Sequence, residues 1–198
     1  TVLKKVGLEV GETPDLKQWK EFLNKKNAAT ETVKIGLVGK YVELQDAYKS
    51  IDESLLHAAI YNDRKLDLHL FHSEKITDEN AASQLADMDG ILIAPGFGQR
   101  GIEGKFSAIK FARENNKPLF GICLGMQCMV IEFARNVLGY WDANSTEMEP
   151  NTPRKVIDMM EEQKTVINLG GSMRLVAFEC VLKKDSKAFQ AYGKEHIQ

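Results

Sequence analysis

Four short apolar runs constrain the fold more than any other feature: TVKIGLVG (32–39), LDLHLFH (66–72), DGILIAP (89–95) and KPLFGIC (117–123). Between them the period changes. Tyr48, Ile51, Leu55 and Ala58 recur at helical spacing, and residues 102–114 and 126–138 also read as helices. Strands joined through helices of ten or more residues cannot close as hairpins. They build βαβ units, and so a mostly parallel α/β sheet with helices on both faces. The tail reads differently: KVIDMM (155–160) and the alternating SMRLVAFECVLK (172–183) predict an antiparallel extension of that sheet.

This pattern starts at about residue 31. Residues 1–30 hold a Gly/Glu/Thr/Pro stretch, a short amphipathic helix over 16–23 and a polar Asn/Lys/Ala/Thr stretch, and they read as a linker. One domain then covers 31–198. The 26 basic and 28 acidic residues are interspersed, which argues against a nucleic-acid or membrane-surface partner. No run of apolar residues is long enough to span a bilayer. Cys123, Cys128 and Cys180 cannot all pair and show no metal-ligand spacing, so a reducing, cytoplasmic setting and no metal are expected.

GICLGMQ (121–127) carries the chemistry. It puts Cys123 between Gly121 and Gly125, where a strand gives way to a helix. A residue on so sharp a turn needs small neighbours at −2 and +2, and G-x-C-x-G is the thiol form of the G-x-S-x-G elbow. The helix that follows aims its positive end at the sulfur and favours the reactive thiolate. The Leu124 N–H is placed to donate to an oxyanion. Cys128 and Cys180 read as packing or surface residues.

A second glycine-rich loop, APGFGQRG (94–101), follows the strand before. Its spacing is neither G-x-G-x-x-G nor that of a P-loop. A structural turn and a second oxyanion donor, the N–H of Gly96, both remain open for it.

Together the two loops resemble the class I glutamine amidotransferases. GKYVELQDAYKS, PGFGQRGIEGK, GICLGMQ, ARNVLG, DANSTE and GGSMRL, in that order, are similar to one branch of the family. In that branch the glutaminase domain feeds ammonia to a synthase domain that aminates UTP. The resemblance implies a flavodoxin-like fold and L-glutamine as substrate, with Cys123 as nucleophile and Gly96 and Leu124 as oxyanion donors. Gly96, Leu124, Gly125, Met126, Gln127 and Glu147 would form the glutamine site. Phe97, Arg100 and Arg174 would belong to a GTP-responsive region or lid. It implies no cofactor in this domain. ATP and Mg would act in the synthase domain, GTP would be an allosteric activator, and the whole enzyme would be a homotetramer. Residues 1–30 would be the linker leaving the synthase domain.

The sequence departs from that family twice. Where the family has Pro-Gly-Gly-Phe-Gly, this chain has Ala94-Pro95-Gly96-Phe97-Gly98, and Pro95 has no N–H to offer. A cysteine amidase also needs a base, which the family takes from a His-x-Glu downstream. The expectation is that the chain, ending in YGKEHIQ, stops before it and leaves the sheet edge open to self-association. His72-Ser73-Glu74 spells the same motif but precedes the nucleophile, on another strand. Competing readings are another class I amidotransferase, a γ-glutamyl thiol hydrolase, and a catalytically silent glutamine- or partner-binding fragment.

Overall fold

A computed structural model describes residues 2–9, 11, 15–44, 46–160 and 178–198. The chain divides into two compact units, 1–157 and 158–198.

In the first unit, helices α1 (Val2–Lys5) and α2 (Lys17–Ala28) precede β1 (Glu31–Gly39). Then come α3 (Lys49–Tyr61), β2 (Arg64–His72), a 3-10 turn at Ser73–Lys75, α4 (Ala81–Leu85), β3 (Gly90–Ile93), α5 (Ile102–Glu114), β4 (Leu119–Gly121) and α6 (Leu124–Asn136). β5 (Ala143–Ser145) and β6 (Arg154–Ile157) complete it. The sheet is four-stranded in the order β2-β1-β3-β4, and every pairing is parallel. This is the flavodoxin-like order, in which ligands collect beyond the strand carboxyl ends near β1 and β3.

Period-two alternation fills both faces of the sheet. Leu37, Leu92 and Ala94 pack on one side with Tyr48 and the partly buried Ile51 and Leu55 of α3. Val38, Ile91 and Ile93 point to the other, against Leu85 of α4, Ile109 and Ala112 of α5, and Leu124 and Ile131 of α6. Outside the core, α2 touches α3: Phe22 meets the His57 ring edge-on at 4.9 Å, and Lys25 pairs with Asp63 at 3.7 Å.

The antiparallel extension needs correction. Lys155–Ile157 belong to β6, which pairs in parallel with β5 in a separate two-stranded sheet. The turns between them are the reason. Met148 and Glu149 donate their N–H groups to the Ser145 carbonyl, and Thr152 donates to that of Glu149. Coiling the link in this way carries the chain back so that β6 runs in the direction of β5. The first half of the stretch 172–183 lies outside the described residues. The end of the stretch forms β7 (Cys180–Val181), which in the second unit pairs antiparallel with β8 (His196–Ile197) across α7 (Lys187–Tyr192).

Candidate active site

Cys123 is the N-cap of α6 and stands at φ 51°, ψ −111°, a backbone conformation that L-residues other than glycine rarely hold. The surroundings enforce it. A β-carbon on Gly121 would lie 2.6 Å from the Gly125 carbonyl carbon and the Met126 nitrogen. One on Gly125 would overlap the carbonyl oxygen of Ile93. The two glycines therefore let β4, α6 and β3 meet at van der Waals distance, and Cys123 is left exposed at the corner. Leu124 is the first residue of α6, so its N–H has no intrahelical acceptor. Its side chain is buried in the core, which leaves only the backbone to serve a ligand.

The loop after β3 abuts this corner. A β-carbon on Gly96 would sit 3.6 Å from Leu124 Cδ2. Two lysines grip the loop from within. Lys105 on α5 is fully buried and donates from Nζ to the Ala94 carbonyl at 2.6 Å. Lys40, just after β1, donates to the carbonyls of Phe97 and Gly98, both at 2.6 Å. Burial pushes the Lys105 ammonium down to about 8. Burial, with Arg100 nearby, also lowers that of Lys40. The Lys105 amine is thus protonated in large part at neutral pH.

The outer side of the loop meets the turn between β5 and β6. Gly98 donates its N–H to Glu147 Oε1 at 3.3 Å, and the Gln99 side chain donates to the Met148 carbonyl. Glu147, on sequence grounds a solvated surface charge, is thereby held at the rim of the glycine loop. Gln127 lies in the first turn of α6, and its side-chain oxygen is buried without a hydrogen-bond partner among the described residues. Such an acceptor is costly unless a donor meets it.

Gly125 contributes by having no side chain. The Met126 side chain turns away, into an apolar groove with Met129, Val130 and Phe133 on the outer face of α6. Phe97 is 80% exposed, while Arg100 pairs with Glu74 at 3.2 Å and lies over the Tyr41 ring at 5.6 Å. Arg174 lies outside the described residues. Cys128 is buried, and burial pushes its thiol up to about 11, so it is no nucleophile at neutral pH.

No histidine of the first unit is placed to serve Cys123. His57 is on α3, and His69 and His72 are on β2, at the sheet edge opposite β4. Three strand spacings separate β2 from β4, roughly 14 Å. His72 Nδ1 accepts the Glu74 N–H and caps the 3-10 turn, which gives His72 in His72-Ser73-Glu74 a local structural role. His196, on β8 of the second unit, contacts Glu179 at 2.8 Å. Among the described residues no group of three or more His, Cys, Asp or Glu could hold a metal ion, and no helix is long and apolar enough to cross a membrane.

Sequence reasoning missed Lys40, Tyr48 and Lys105. Lysines read as surface residues, yet a signal was present: Lys105 shares a helical stripe with Ile102, Ile109 and Ala112, all buried.

The family model for "Glutamine amidotransferase class-I" matches residues 43–197. Over its full 198 residues the chain is 66% identical to the CTP synthase of Porphyromonas gingivalis and 64% identical to that of Bacteroides fragilis. In both cases it spans 37% of the relative's length. A solved glutaminase domain of Trypanosoma brucei CTPS with bound acivicin is similar at a TM-score of 0.72 and 33% identity. That match covers 83% of this chain and 64% of the solved one.

Proposed function

The chain belongs to the class-I glutamine amidotransferases, and on that premise we propose that it is the glutaminase part of a CTP synthase, with Cys123 as nucleophile. One observation carries the reading. An exposed cysteine is held at φ 51° on a strand-to-helix corner whose two flanking glycines cannot be anything larger. A core thiol has no need of that strain, which is characteristic of catalytic corners.

The reaction proceeds in two steps. Cys123 Sγ attacks the side-chain amide carbon of L-glutamine, and the N–H groups of Gly96 and Leu124 receive the oxyanion. The C–N bond then breaks and ammonia leaves with a proton from a general acid, giving a γ-glutamyl thioester. Water attacks the thioester carbonyl, glutamate departs and the thiol is restored. Gln127 offers its unmet acceptor to the substrate's α-ammonium, and Glu147 at the loop rim offers a carboxylate. The acid-base group is a histidine other than His57, His69 and His72, which all sit on α3 or β2.

In the whole protein the ammonia reaches a synthase domain, which uses ATP with Mg to convert UTP to CTP. Residues 1–30 form the connection to that domain, and the match to CTP synthases over all 198 residues supports this. GTP acts as activator through Phe97, Arg100 and Arg174, and the assembled enzyme is a cytoplasmic homotetramer.

The test is covalent labelling with a diazoketone analogue of glutamine, followed by intact mass and peptide mapping. A single adduct on Cys123, absent from Cys123→Ala, is the expected outcome. An adduct confined to Cys128 or Cys180, or none, overturns the assignment of the nucleophile.

A further inference from the structure

We infer that Lys40 and Lys105 are positioning residues that hold the glycine loop from behind, so that the Gly96 N–H is presented to the Cys123 corner. The inference rests on the glutaminase reading above.

Buried lysines are rare because an ammonium taken out of water must be compensated by close partners. Here two of them, 0% and 3% exposed, spend their hydrogen bonds on one five-residue stretch. Lys105 takes the Ala94 carbonyl, and Lys40 takes those of Phe97 and Gly98. The Gly96 peptide lies between these anchors. Such charge-assisted bonds are roughly twice as strong as neutral ones.

The peptide joining Phe97 to Gly98 shows how the clamp works. Its C=O and N–H point in opposite directions because the unit is planar and trans. The carbonyl goes inward to Lys40 Nζ at 2.6 Å, and the N–H goes outward to Glu147 Oε1 at 3.3 Å. A cation and an anion therefore hold one peptide plane from its two sides, immediately after the Gly96–Phe97 unit.

Lys40 is itself held. The Tyr48 hydroxyl accepts the N–H of Lys40 at 3.0 Å and that of Tyr41 at 3.3 Å. The Tyr48 ring fills the space a β-carbon on Gly39 would need, 2.5 Å from its hydroxyl oxygen. Lys105 reaches from the opposite face of the sheet, on the stripe of α5 that packs in the core with Ile109 and Ala112. Its ammonium holds the Ala94 carbonyl, at the start of the loop that abuts the Cys123 corner.

Labelling of the full chain by the diazoketone analogue of glutamine tests the inference. Its ketone takes the place of the substrate amide. Lys40→Met and Lys105→Met keep an unbranched side chain of nearly the same reach, to Cε, and remove the ammonium. Each is expected to lower the maximal labelling rate about tenfold, with half-saturation within about twofold of the unsubstituted protein. Alkylation of Cys123 by iodoacetamide, which forms no oxyanion, should change less than about twofold. Cys128 serves as fold control, because it stays unreactive while buried.

No labelling of the unsubstituted protein would remove the assignment of Cys123 as nucleophile and this inference with it. Labelling of both variants at the unsubstituted rate would sink the inference and leave that assignment standing. Equal slowing with both reagents would mean that the lysines act on the thiol rather than the loop, and would also overturn it. If Lys105→Met exposes Cys128, Lys40→Met decides. If both expose it, the lysines support the fold and not the loop, and the inference fails.

Discussion

Gly125 of α6 lies so close to Ile93 of β3 that a β-carbon on the glycine would overlap the isoleucine's carbonyl oxygen. That oxygen already accepts the N–H of Ile122 at 3.1 Å, so it cannot move without breaking the bond that sets β4 beside β3. Gly125→Ala must therefore push the start of α6 away from the sheet. Backbone overpacking of this kind costs about 3 kcal/mol. Urea unfolding should show that loss, and diazoketone labelling of Cys123 should fall with it. Gly98→Ala is the contrast: its β-carbon meets open space, and only φ +69° opposes it, a cost of about 1 kcal/mol.

Cys123 sits at the strained end of the same corner. Cys123→Gly removes the clash behind φ 51°, worth about 1–3 kcal/mol, against about 0.5–1 kcal/mol for the entropy of an added glycine. The variant is expected to be more stable by about 1 kcal/mol, while labelling at that position disappears. A loss of stability on urea unfolding would show that the corner is unstrained.

The link between α5 and α6 is a third place where one residue decides much. Glu132, 1% exposed, accepts from Arg113 Nη2 at 2.8 Å, from Arg113 Nε at 3.2 Å and from Asn136 at 3.0 Å. Arg113→Met strands a buried carboxylate, and breaking such a pair costs about 3–5 kcal/mol. The guanidinium is partly exposed, so the lower end of that range is expected. Adding Glu132→Met should recover most of the loss, and a double-mutant cycle in urea measures the coupling.

Lys105 makes stability depend on pH. Its folded value, about 8, lies below the ordinary 10.5, so between these limits the unfolded chain binds the extra proton. Stability then rises with pH across that window. The penalty for burying the charge is fully present below about pH 8 and is gone above about 10.5. Relative to Lys105→Met, the unsubstituted protein should gain of the order of 3 kcal/mol from pH 8 to 10.5. Cys128 acts in the opposite sense from about pH 9 to 11, because its folded thiol is held up to about 11. That contribution is present in both proteins and largely cancels. A flat difference between the two unfolding curves would mean that Lys105 is not buried in solution.

Local sequence held the parts whose geometry is fixed by neighbours in the chain. Ile102–Glu114 is helical as its periodicity reads, and GICLGMQ carries its own corner because Gly121 and Gly125 act within one turn. The parallel order also follows from the sequence, since strands separated by helices have no hairpin route. The two-stranded pairing of Ala143–Ser145 with Arg154–Ile157 was not legible. It depends on hydrogen bonds inside the intervening turn, which have no apolar period to reveal them. Glu147 gave no local sign of its place for the same reason: its partner, Gly98, is forty-nine residues away.

The sequence by itself determined the strand–helix alternation, the strained cysteine and the two glycine-rich loops, because steric limits on φ and the hydrophobic period act over a few residues. Only the tertiary structure decided that Lys40 and Lys105 turn inward to grip one loop, and that His72, despite its motif, stands at the far edge of the sheet. Which charges are buried, and which strand ends are neighbours, depends on long-range packing. A lysine or a histidine carries no local mark of either.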